Sequence, residues 1–188
     1  MINTHTFLAK LIHWTFIPLY AYGIFKQVDD LNELENASLL NFEILFATVF
    51  LIIVLLRYFY MKDTPALLGA HDEVHKGHLF IAKTVHRLVY FSLVMLPTTG
   101  LLIAALFSLG AWGVNIAIAI HEFSAFLSYV VIALHVGATF YSRFKGEGMW
   151  NAMVPIWKET GKNKKNILSK LAIIENKIYK KVEDVFIE

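Results

Sequence analysis

Histidine is the residue in this chain with the widest scope for chemistry, and it sits where it is costly to place. His13, His121 and His135 fall inside apolar stretches, and His86 stands at the start of another. Ionisable groups inside membrane-length apolar runs mark function, because the bilayer interior penalises them. His121 and His135 are fourteen residues apart; at ~100° and ~1.5 Å per residue they share a helix face to within about 40° and stand ~21 Å apart. One helix then offers two imidazoles at two depths, the arrangement that two stacked cofactors in a four-helix bundle need. His13 lies at a depth comparable with His135 on a facing span, so the two can share one iron. Bis-histidine ligation fills both axial positions of haem iron, which suits it to electron transfer and closes it to oxygen activation. A single membrane histidine more often hydrogen-bonds a neighbouring backbone or hydroxyl group, but matched depth on facing spans favours ligation.

The elements that position these residues follow from hydropathy. The chain is 57% hydrophobic with a mean hydropathy of +0.55, against roughly 45–50% apolar residues in soluble domains. A charged share of 17% and a net charge of +2 argue against nucleic acid or a strongly acidic partner. The absence of cysteine excludes disulfides, thiolate-bound iron–sulfur clusters and attached c-type haem. A span needs ~20 apolar residues. Phe7 to Phe25 supplies the first and weakest, interrupted by Lys10, His13 and Pro18; Leu39 to Met61 supplies the second. The charge-free run from Leu88 to Ile120 is too long for one span, and Gly110, Gly113 and Asn115 divide it into spans of roughly 87–107 and 116–142. With no basic leader and cleavage site, the first run reads as a retained span. The tail from Asn163 to Glu188 mixes Leu, Ile and Val with Lys and Glu at helical spacing, as in an amphipathic helix on a membrane surface, a solvated helix or a partner-docking helix. The expected fold is an all-α membrane protein, a four-transmembrane-helix bundle with a C-terminal amphipathic helix, divided into a membrane domain (1–157) and a tail (158–188).

Basic residues set orientation. The first connection carries Lys26 against Asp29, Asp30, Glu33 and Glu35, whereas the second holds Arg57, Lys62, Lys76, Lys83 and Arg87, and the tail from Arg143 is Lys-rich. Both termini are therefore expected in the cytoplasm, with the chain multi-pass.

Ile12-His13-Trp14, His86 ahead of Leu96-Pro97 and Gly100, His121-Glu122, Leu134-His135 and Met153-Val154-Pro155 together resemble the bacterial cytochrome b561 family, which groups with the haem-b subunits of nickel–iron hydrogenase and formate dehydrogenase. The resemblance covers about residues 5 to 157. It implies haem b ligated by His13 and His135, and a second haem between His121 and a histidine of span two. Span two has no histidine: Glu43 stands at that position, and a carboxylate is a poor axial ligand for a low-spin b haem. Glu43 is better read as an interfacial acid, so one haem is expected and the outer one altered or absent. If the outer site is empty, neighbours such as Glu122 and Ser124 would satisfy His121. His86, with Arg87 and Lys83 beside it, is expected to hydrogen-bond a haem propionate or a quinone.

The second connection also holds His71, His75 and His78 beside Asp72 and Glu73; the i, i+4 spacing of His71 and His75 could bind a metal, although solvated loop histidines are common. Trp14, Phe16, Tyr20, Tyr90, Phe91, Phe123, Phe126 and Tyr129 read first as packing and interfacial anchors. No group forms an acid–base or nucleophilic pair. The expected function is electron transfer between the quinone pool and a redox partner, such as a membrane-associated dehydrogenase or hydrogenase. The resemblance also includes free-standing oxidoreductases, hence activity on a small species such as superoxide. The competing classes are a metal or proton transporter using His121, His135 and Glu43, and a haem-free structural anchor.

Overall fold

The computed structural model describes residues 5–26, 28, 30–62, 76–145, 149–154, 156–157 and 166–187. His71, His75, Asp72 and Glu73 lie outside them, so the metal reading of that loop concerns residues beyond the described set. Among the described residues the chain is helical and contains no strand: α1 (Phe7–Phe25), a 3-10 turn (Leu31–Glu35), α2 (Ala37–Met61), α3 (Lys76–Ser108), α4 (Val114–Lys145), the short α5 (Met149–Met153) and α6 (Asn166–Phe186). Helices α2, α3 and α4 are long and apolar enough to cross a membrane. α1, with 19 residues, carries Lys10, His13 and the internal Pro18 and does not meet that measure.

Local chemistry sets the helix ends. Asn36 caps α2, its side chain accepting from the backbone N–H groups of Ser38 and Leu39 at 3.0 and 3.4 Å. Before it, Asp30 and Glu33 form a reciprocal capping box around the 3-10 turn. α3 stops at a Schellman turn: Gly110 has φ 56°, its N–H donates to Phe107 O, and the Ala111 N–H donates to Leu106 O. Gly113, at φ 100°, turns the chain into α4. The two glycines thus divide the long apolar run where expected, while Asn115 falls inside α4.

One boundary is corrected. α3 begins at Lys76, well before the expected 87, so His86 stands within a continuous helix and not at its start. Its 33 residues extend ~50 Å, more than the ~30 Å hydrocarbon thickness. The first turns, with Lys76, His78, Lys83, His86 and Arg87, read as loop from their charge, yet they continue the helix into the polar region.

Side chains are distributed inside out. Ser92, Ser124 and Ser128 are fully or almost fully buried, whereas Leu45, Leu56, Phe123, Phe126 and Leu134 are exposed. Small hydroxyl residues let membrane helices approach closely, and so broad an apolar surface suits lipid and not water.

The chain divides into two compact units. One comprises Phe7–Thr64 and Val89–Val131; the other comprises Met1–Thr6, Pro65–Leu88 and Ile132–Glu188. In the first, Phe16 packs on Phe50 (ring centroids 4.9 Å), Tyr22 on Phe46 (5.6 Å), and the Tyr20 hydroxyl meets Ser128 Oγ at 2.7 Å. α1 and α2 are therefore antiparallel, and α1 is tied to α4. In the second unit α6 lies against the beginning of α3 and the end of α4. His78 packs on Tyr179 (4.9 Å), Phe80 stacks on Phe186 (5.5 Å), and Glu175 accepts from Lys145 (2.8 Å), Tyr141 (3.0 Å) and Tyr179 (2.5 Å). Gly77 is required here: a Cβ would fall 2.3 Å from the carbonyl oxygen of Tyr179.

Candidate functional site

The first unit holds His13 and His121. His13 lies on α1, half-buried, with Trp14 edge-on at 6.3 Å. His121 comes from α4, and its Nδ1 lies 2.9 Å from Thr99 Oγ1 of α3. Thr99 Oγ1 also lies 2.8 and 3.0 Å from the carbonyls of Met95 and Leu96; with its proton on either carbonyl, Oγ1 accepts and Nδ1 carries the imidazole proton. That tautomer leaves the lone pair on Nε2, the arrangement of a metal-ligating histidine whose other nitrogen is anchored. Gly100 lies alongside: a Cβ there would stand 3.6 Å from His121 Cε1. The expected neighbours do not serve His121 in this way. Ser124 donates to the Ile120 carbonyl at 2.7 Å, its own preceding turn, and Glu122 is exposed.

Glu43 forms an ion pair with Lys26, which also lies over the Phe42 ring at 4.2 Å. The acid is thereby engaged at the junction of α1 and α2.

Arg57 is the residue whose place the sequence did not reveal. It was counted with the basic residues of the second connection, but it lies inside α2, four residues before Met61. Its guanidinium carbon stands 6.0 Å from the Phe16 ring centroid and 5.7 Å from that of Tyr90. The signal available in the sequence was an arginine in an unbroken helical run with the aromatic residues Tyr58, Phe59 and Tyr60 directly after it.

The second unit brings His86 and His135 together, with ring centroids 5.0 Å apart and planes at 72°. His86 Nδ1 donates to the Ala82 carbonyl at 2.7 Å; a carbonyl only accepts, so here too Nε2 holds the lone pair. His86 is exposed, and so are Arg87 and Lys83. At the end of α4, Arg143 lies 4.0 Å from the Trp157 ring and 5.0 Å from that of Trp150, and donates to the Trp157 carbonyl. Trp157 has φ 55°, a left-handed conformation rare for a residue with a side chain.

Burial acts to raise the Glu175 carboxyl, but the hydrogen bonds from Lys145, Tyr179 and Tyr141 and the charge of Lys145 outweigh it and hold the group below its ordinary value. Among the described residues no three His, Cys, Asp or Glu side chains converge on a common point; axial ligation of haem iron needs at most two.

No curated protein and no solved structure matches the chain. A family model described as prokaryotic cytochrome b561 matches residues 4–155, most of the chain. With its long apolar helices and in-membrane histidines, the chain belongs to the prokaryotic cytochrome b561 family, a membership that carries haem b binding and electron transfer in the membrane.

Proposed function

We propose that the protein moves electrons between the quinone pool and a redox partner, such as a membrane-associated dehydrogenase or hydrogenase, using haem b held by His13 and His135. The observation that carries this reading is α4, one unbroken helix from Val114 to Lys145 that holds both His121 and His135. The residues fit the group: His13 and His135 are half-buried imidazoles on helices, and Arg57 offers a half-buried cation in the unit that contains His13. Haem b supplies one-electron redox chemistry when bound. The pairing of His13 with His135 rests on their matched depth on facing spans and on the family pattern, and His86 stands beside His135 as the residue that orients it or meets a quinone or a propionate. A transporter or a haem-free anchor finds no support in cytochrome family membership.

In this reading α1 is the fourth span, residues 1–157 are the cytochrome domain and 158–188 a cytoplasmic tail in a bacterial inner membrane. The contacts of α6 with both α3 and α4 support one shared side for the second connection and the tail. Leu171, Ile174, Ile178 and Val185 remain exposed on α6, with Lys177 and Lys181 near them, which suits a helix lying in the membrane interface.

The test is direct. Purified protein should be red and give a reduced-minus-oxidised b-type spectrum, and a quinone added to the reduced protein should reoxidise it. Colourless protein after expression with ample haem would refute the reading.

A further inference from the structure

Arg57 is a cation in a poor place for one. Its Nε is buried and makes no hydrogen bond. Phe16, which lies against the guanidinium, is itself 5% exposed. Among the described residues no carboxylate pairs with it: Glu43 is taken by Lys26, Glu33 closes the capping box with Asp30, and Glu175 is held by Lys145. The Tyr90 hydroxyl is a hydrogen-bonding partner, and the faces of Phe16 and Tyr90 supply cation–π attraction of about 0.5–2 kcal/mol. Removing an ion from water costs several kcal/mol even after relaxation, so these neutral neighbours do not balance the charge. An arginine also cannot shed its proton to escape the cost. The planar fork of donors is shaped for a carboxylate or phosphate.

Which anion it receives follows from the surroundings. A lipid phosphate approaches from outside the helices, whereas Phe16 and the Arg57 Nε are both buried. Phe16 is three residues beyond His13, hence on the same face of α1. A ligand carried in by His13 would therefore bring its own acidic groups to this level of the bundle. Resting on the haem reading above, we infer that Arg57, set between Phe16 and Tyr90, is the counter-ion and bidentate anchor of a haem propionate. It is a binding residue that selects the orientation in which the haem enters.

The experiment uses the full-length protein in detergent, stripped of haem and reconstituted either with haem b or with its propionate dimethyl ester. Wild-type protein should bind haem more tightly than the ester by about ten- to a hundredfold, the worth of a charge-assisted hydrogen bond. Arg57→Met should bind the two equally, and its haem should titrate at a lower midpoint potential, because an uncompensated propionate favours the ferric state. Arg57→Lys should keep part of the discrimination, and it carries the test alone if Arg57→Met does not fold. Equal discrimination and equal potential in wild type and variants would overturn the inference while leaving the cytochrome intact. A wild-type protein that binds neither porphyrin would overturn the haem reading itself.

Discussion

The imidazole of His86 stands edge-on to that of His135, their centroids 5.0 Å apart, while its own Nδ1 is tied to the Ala82 carbonyl. α3 thus presents a ring of fixed tautomer to the ring of the proposed ligand on α4. His135→Ala should lose the low-spin b spectrum. His86→Ala should retain it at full haem content, with shifted g values in the oxidised electron paramagnetic resonance signal as His135 gains freedom to rotate. Loss of haem in His86→Ala and its retention in His135→Ala would reverse the two roles.

His121 leads to a count. With Glu43 engaged by Lys26, no second imidazole is available from α2, so pyridine haemochrome analysis should give one haem per chain. The Thr99 hydroxyl is then a structural partner of His121, and Thr99→Val should lower stability by about 1–2 kcal/mol without changing the spectrum. Two haems, one of them high-spin, binding carbon monoxide and lost in His121→Ala, would show that the single imidazole does hold iron.

Much of this was readable in advance. The apolar runs fixed α1 and α2 to within a few residues, and Gly110 and Gly113 located the turn after α3 because positive φ leaves few alternatives. The first turns of α3 were missed because their lysines and histidines resemble a loop; length in excess of the bilayer was the missing consideration. The partner of His121 was missed for another reason. Thr99 and His121 meet only through the register of two helices, which no local pattern encodes, whereas Glu122 and Ser124 were merely near in sequence. Arg57 looked like an end-of-span charge until its neighbours from α1 and α3 were seen.

The docking of α6 should depend on pH. The Glu175 carboxyl is held below its ordinary value by Lys145, Tyr179 and Tyr141, so its contribution is fully present above the ordinary glutamate value. It is lost as pH falls through the lowered one. Hydrogen exchange along α6 should accelerate on acidification over that window, and Glu175→Gln should show the faster exchange already at neutral pH. An unchanged α6 at low pH would argue that its apolar contacts alone hold it.

Topology offers a further check. The basic end of α3, the end of α4 and the tail should all lie in the cytoplasm. A C-terminal phosphatase fusion should then be inactive and a fluorescent-protein fusion bright; the opposite pattern would invert the assignment and every depth that follows from it.

The short turn after α3 bears on what the protein can meet. In the first unit α1 runs antiparallel to α2 and Tyr20 bonds to Ser128 while Thr99 bonds to His121, so the α1–α2 connection and the α3–α4 turn stand at one end. The turn is short and apolar at its tip, with Leu109 and Trp112 79% and 91% exposed. The connection carries Asp30, Glu33 and Glu35, and its cation, Lys26, is spent on Glu43. Among the described residues no unpaired cation offsets those acids at this end, which therefore projects a negative field. Anionic reactants are turned away and neutral or cationic ones admitted, so electron exchange there should quicken with added salt for an anionic mediator and slow for a cationic one.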